Sequence, residues 1–315
     1  MTASKERQAA ATVVLVRPVA FHGNPETAAS NAFQRPPEAA DPAAEQAAAA
    51  VEFEGLVAAL AGAGVATVVV PDRAQPPTPD SIFPNNWLSL HADGTAVLYP
   101  MMAPSRRAER RRDVLELLGG EHGFRVERVL DLSAHEQEGR FLEGTGSMVL
   151  DRVNRVAYAC LSPRTDAGVL AEAARLLDYE PLAFLAADEA GVPVYHTNVM
   201  MCVGSDFAVV CEEAICDPDQ RAAVRARLEQ GGHEIVPIDF AQMRSFAGNM
   251  LELADAGGGR VLALSARALE SLRAEQVRAL EARCRLLPVR VAAIEEGGGG
   301  SVRCMLAEVH LPRRD

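Results

Sequence analysis

Lysine is almost missing from this chain: Lys5 is the single one in 315 residues. It lies in a terminus without apolar patterning, so Schiff-base catalysis and a phosphate-gripping P-loop lysine are both excluded, and cationic chemistry falls to arginine. Close cysteine pairs are missing too. Cys160, Cys202, Cys211, Cys216, Cys284 and Cys304 include no C-x-x-C spacing, which argues against a zinc site or a disulfide framework and for reduced thiols. No apolar run reaches the length of a membrane span and none precedes the first alanines, so a cytoplasmic location is expected. Positive charge is in deficit as well. A net charge of −12 speaks against nucleic acid and against anionic membrane surfaces, which both demand a basic footprint.

What is abundant is core material, 49% hydrophobic residues, enough for one large domain or two ordinary ones. Residues 1–12 read as a disordered tail. Residues 13–18 are a β-branched run closed by Pro18, a strand by pattern. Residues 21–40, rich in proline, asparagine and glycine, read as a loop that can fold over a site as a lid. An alanine-rich helix over 43–62 follows, with Phe53, Leu56 and Leu60 at helical spacing, then a strand over 65–70.

From Asn86 onward one order recurs: hairpin, helix, strand. The hairpins cover 86–99, 146–161, 197–211 and 249–264. The helices cover 105–118, 166–177, 219–230 and 272–284, and the strands 125–132, 181–185, 234–238 and 287–294. A fifth unit is divided between the chain ends, where a strand over 303–311 pairs with 13–16 and the helix at 43–62 and strand at 65–70 complete the module. The expectation is a single α/β domain over 1–315, with five ββαβ modules around a pseudo-fivefold axis, closed by pairing of the N- and C-terminal strands.

The repeat brings chemistry together. The polar residue just before each hairpin is Asn86, Glu143, His196, Asn249 or Cys304, at steps of 57, 53, 53 and 55 residues. Equivalent positions in a radial array face one axis, so a thiol, an imidazole and a carboxyl are expected to share a pocket. Cys304 follows four glycines, 297–300, whose backbone can approach a ligand closely. Taken alone, that segment reads sooner as a flexible loop before a buried structural cysteine. Asn249 reads equally as a cap of its own hairpin.

These residues resemble the guanidine-modifying superfamily of arginine deiminases and amidinotransferases. The resemblance rests on FPNNW (83–87), FLEGTG (141–146), YHTN (195–198), FAGNMLEL (246–253) and GGGGSVRCM (297–305). With the opening VRPVAFHGNPETAASNAFQ, it is strongest to the branch of citrulline-utilising hydrolases. It implies a five-bladed α/β propeller, with Cys304 as nucleophile, His196 as general acid and base, and Glu143 orienting the histidine or binding substrate nitrogen.

Two departures point to the substrate. Where the deiminases set aspartates against a guanidinium, this sequence has Asn86 and Asn198. An amide offers a donor and an acceptor, which suits a neutral ureido group, so hydrolysis of citrulline to ornithine, carbon dioxide and ammonia is the leading reading. Asp80 is a candidate for the α-amino group, or a turn residue. The deiminases' arginine five residues before the cysteine is replaced by Gly299, leaving Arg17, Arg140 and Arg303 as candidates for an α-carboxylate. The alternatives are an arginine deiminase or amidinotransferase acting on a guanidinium, and a non-catalytic binding protein on the same fold. No cofactor or metal is implied. The expected partner is a small amino-acid substrate, and a homo-oligomer is compatible with the sequence.

Overall fold

The computed structural model describes residues 6–35 and 41–314. Among them, fifteen strands form five three-stranded sheets of one design. The strands are β1 (Thr12–Arg17), β2 (Ala66–Pro71), β3 (Leu88–Leu90), β4 (Thr95–Leu98), β5 (Arg128–Asp131), β6 (Val149–Asp151), β7 (Val156–Leu161) and β8 (Glu180–Leu185). They continue with β9 (Met201–Val203), β10 (Phe207–Val210), β11 (Glu234–Pro237), β12 (Leu251–Ala254), β13 (Arg260–Ser265), β14 (Arg285–Val289) and β15 (Ala307–Glu308). In β3–β4–β5, β6–β7–β8, β9–β10–β11 and β12–β13–β14, an antiparallel hairpin is followed by a parallel third strand. A parallel neighbour requires a crossover, and a helix supplies it each time. The fifth sheet, β15–β1–β2, joins the chain ends: Val13 faces Glu308 and Val14 faces Ala307 in antiparallel register.

The crossover helices are Pro42–Gly62, Asp113–Gly120, Ala167–Leu177, Pro218–Gln230 and Ala274–Glu281. Three of them start on an aspartate cap, Asp41, Asp166 or Asp217, whose carboxylate accepts backbone N–H groups of the first turn. The core lies between blades. Tyr158 from β7, Val209 from β10 and Leu262 from β13 belong to one apolar cluster. Phe53, Leu56 and Leu60 are fully buried along one helix face, each contributing about 1.5–3 kcal/mol by leaving water.

Five expectations are corrected. Residues 6–12 are built into the fold: Gln8 Nε2 donates to Leu150 O at 2.9 Å and Val203 O at 3.0 Å, and Gln8 Oε1 accepts from Arg152 N. Residues 1–5 and 36–40 lie outside the described residues. The helix expected over 105–118 is two pieces, Pro104–Arg107 and Asp113–Gly120, and between them Arg110 pairs with Glu136 while Arg111 donates to Pro71 O at 2.6 Å. The strand expected over 287–294 ends at Val289, and Ala292–Gly298 is a helix. The distant Glu52 carboxylate accepts from Ala293 N and Ile294 N, both at 3.0 Å, and so caps it. The glycines are therefore not an open loop: Gly297 and Gly298 end that helix and Gly299, at φ 65°, terminates it in left-handed conformation. The last strand is two residues long, and Cys304 lies ahead of it on the 3₁₀ turn Val302–Met305. No helix among the described residues is long and apolar enough to cross a membrane.

Candidate active site

A short helical turn precedes four of the inner strands: Pro84–Asn86, Gly144–Ser147, Thr197–Met200 and Val302–Met305. Ahead of β12, Asn249 N closes a turn on Phe246 O at 2.8 Å. Residues 86, 143, 196, 249 and 304 thus stand at or beside equivalent turns, and all five are buried. The turns fit together only where side chains are missing. Gly144 has φ 47°, and a Cβ on Gly146 would overlap Asn86 Nδ2 and stand 2.8 Å from His196 Nδ1.

Glu143 and His196 are joined by a hydrogen bond, Nε2 to Oε2 at 2.9 Å. Because a carboxylate only accepts, Nε2 carries a proton and Nδ1 is the unprotonated nitrogen of the neutral ring. Glu143 Oε1 accepts from Met102 N at 3.0 Å, and Arg164 and Arg106 stand 3.5 and 3.8 Å from Oε2. Burial alone would raise this carboxyl, but Arg164, the His196 hydrogen bond and Arg106 outweigh it and hold the group well below the usual carboxylate range. Burial pushes His196 down to about 4, against the pull of Glu143.

Cys304 receives two amides: Asn198 Nδ2 at 3.4 Å and Asn249 Nδ2 at 3.3 Å from Sγ. It shares a cavity with His196, Tyr195, Asn86, Asp80, Arg106 and Arg164. Phe83 and Gly298–Gly300 form one wall, and Thr27 and Asn31 come from the 21–40 segment. Its described residues, 21–35, are tied to the cavity lining: Asn24 Nδ2 to Asp80 Oδ2 at 2.8 Å, Arg164 Nη2 to Thr27 O at 3.0 Å, and Asn31 Nδ2 to Gly298 O at 3.2 Å.

Arg106 is fully buried and fixed by three neighbours. It forks onto Glu109 at 3.0 and 2.9 Å, donates from Nη1 to Asn86 Oδ1 at 2.9 Å, and lies 3.7 Å from Asp80. An arginine can only donate, so Asn86 has its oxygen on Arg106, and its Nδ2 is buried without a partner. Asp80 Oδ1 and Asn198 Oδ1 are likewise buried and unpartnered. Such atoms are costly unless a ligand completes them.

The cavity therefore gathers Cys304, His196, Asn86 and Asp80 on its lining, with Glu143, Asn198 and Asn249 in contact behind them. None of the three arginines expected at an α-carboxylate lines it. Arg17 is an exposed partner of Glu54, Arg140 an exposed partner of Glu138, and Arg303 turns to Glu308. Arg106 and Arg164 stand there instead. Arg106-x-x-Glu109 has the spacing of a solvent-exposed helix pair, and Arg164 follows β7 in an unremarkable loop, so neither drew notice.

Comparisons with known proteins agree in architecture. Residues 17–311 match the model of the family described as N,N-dimethylarginine dimethylhydrolase, eukaryotic. No curated protein matches the sequence. Among solved structures, the chain is similar to the N-terminal domain of ArgZ bound to substrate, an arginine dihydrolase from the ornithine-ammonia cycle in cyanobacteria. The TM-score is 0.72 at 17% identity, covering 95% of this chain and 97% of that one. It is similar to a complex of AgrE with L-arginine at TM-score 0.73 and 17% identity, covering 96% of this chain but 41% of AgrE. A third is the dimethylarginine dimethylaminohydrolase of Pseudomonas aeruginosa complexed with citrulline, at TM-score 0.65 and 15% identity, covering 95% and 99%.

Proposed function

The chain belongs to the N,N-dimethylarginine dimethylhydrolase family, hydrolases acting on C–N bonds, and on that premise we propose that it hydrolyses the ureido group of citrulline through a thioester on Cys304. The observation that carries this reading is the orientation of Asn86. With its oxygen on Arg106, it offers the cavity a donor. A guanidinium has only N–H groups to present to it, whereas a ureido oxygen accepts.

In this mechanism His196 Nδ1 takes the Cys304 thiol proton and Sγ attacks the ureido carbon. The C–N bond to the terminal amino group breaks, and the same proton leaves with ammonia. Water, deprotonated by His196, then cleaves the thioester, restoring the thiol and releasing an N-carboxy amino acid that loses carbon dioxide to give ornithine. Glu143 holds the ring in the tautomer that leaves Nδ1 free. Arg164 supplies positive charge for the α-carboxylate, and Asp80 an acceptor for the α-amino group.

A second reading, hydrolysis of a guanidinium, is favoured by the unpartnered Asp80 Oδ1 and by the arginine bound in AgrE. Incubation with citrulline, arginine or N-methylated arginine, following ammonia and ornithine, separates the two. Turnover of citrulline to ornithine is expected; turnover of arginine without any of citrulline overturns the reading.

A further inference from the structure

A second buried polar assembly lies next to Cys304, outside the substrate cavity. Arg303 Nη1 donates to Leu306 O at 2.8 Å and its Nη2 to Glu308 Oε2 at 2.7 Å. The other Glu308 oxygen accepts from Arg152 Nε at 3.3 Å, and Arg152 Nη1 pairs with Glu6 at 2.9 Å. Arg303 and Glu308 line a small separate cavity with Gln8 and Met250. Burial opposes the Glu308 charge, yet Arg152 and Arg303 hold this carboxyl well below the usual range.

This assembly is coupled to the sulfur through orientations that chemistry fixes. The backbone N–H of Arg303 donates to Asn249 Oδ1 at 3.0 Å. An N–H cannot accept, so the Asn249 amide must turn its Nδ2 the other way, onto Asn198 O at 2.9 Å and Cys304 Sγ at 3.3 Å. Asn249 is thereby aimed by the residue that precedes the cysteine, and that residue is anchored by Glu308.

We propose that Arg303 and Glu308 are positioning residues for Cys304: their ion pair clamps the 302–305 turn so that the Asn249 amide donates to the sulfur in its attacking position. The proposal rests on the reading of Cys304 as nucleophile. Neutralising Glu308 leaves two buried guanidiniums without their shared anion, and the turn that Arg303 anchors relaxes. Substrate contacts are untouched, because neither residue lines the substrate cavity.

The test is Glu308→Gln in the full chain, read by steady-state kinetics and by mass-resolved alkylation of Cys304 with iodoacetamide. The expected result is a fall in kcat of about tenfold or more, KM within about twofold, and a parallel slowing of alkylation. Unchanged kcat in a folded variant overturns the proposal, as does a rise in KM at constant kcat. If thermal melting shows that Glu308→Gln does not fold, Asn249→Ala decides in the same assays, and unchanged alkylation of Cys304 overturns the proposal. Retained activity in Cys304→Ser would instead remove the nucleophile reading, and the clamp with it.

Discussion

Arg106 Nη1 reaches Asn86 Oδ1 at 2.9 Å, and this one contact determines which end of the amide the substrate meets. An aspartate at 86 would still accept from Arg106 but would offer the cavity no donor. Asn86→Asp, alone or with Asn198→Asp, is therefore expected to shift the ratio of kcat/KM for citrulline over arginine toward arginine by about 10- to 100-fold. Parallel assays on the two substrates measure it. An unchanged ratio would mean that these amides do not read the head group.

Cys304→Ser should abolish release of ornithine and ammonia while leaving the fold intact. The cysteine Cβ packs close to Gly300, and serine adds no volume there. Near-normal turnover with an unshifted melting temperature would refute covalent catalysis at this position.

The Glu143–His196 pair gives stability a pH dependence of definite sign. The folded imidazole titrates near 4 against 6.5 ordinarily, so between these values the unfolded chain binds a proton that the folded chain does not. Stability falls as pH drops through that window, by roughly 3 kcal/mol from this group. Glu143, depressed when folded, adds loss in the same direction once pH enters the carboxylate range. Urea denaturation at pH 7 and pH 5 should show a shallower drop for His196→Asn than for the natural protein; equal drops would contradict the burial argument.

Arg164→Ala is expected to raise KM about 10- to 100-fold, since a charge-assisted contact is worth about 1.5–3 kcal/mol. Arg17→Ala, which removes only an exposed pair with Glu54, should change neither KM nor kcat. The arginine assignment fails if the two variants behave alike in substrate titrations.

Gly146→Ala introduces one methyl group and no charge. It would collide with Asn86 Nδ2 and crowd His196 Nδ1, so activity should fall at least tenfold, as small displacements in an active site do. A fully active Gly146→Ala would show that the two turns have room to separate.

Much of this was legible in the sequence, because hairpin turns and helical periods are local signals. Their recurrence puts residues 86, 143, 196, 249 and 304 in one phase. Two of the misreadings are cases where a distant group overrides a local pattern. Glu52 caps a helix some 240 residues away along the chain, turning an apolar run into helix 292–298. Gln8 is ordered by carbonyls of β6 and β9, which no terminal pattern announces. Arg303 adjoins Cys304 yet turns to Glu308, because neighbours on a tight turn diverge.

Pairing of β1 with β15 also sets an order of events during synthesis. The blade beside Cys304 joins strands far apart in the chain, so it cannot close until β15 has been synthesised. Contacts of such long sequence separation slow folding, and until β15 is made the β15–β1–β2 sheet lacks an outer strand.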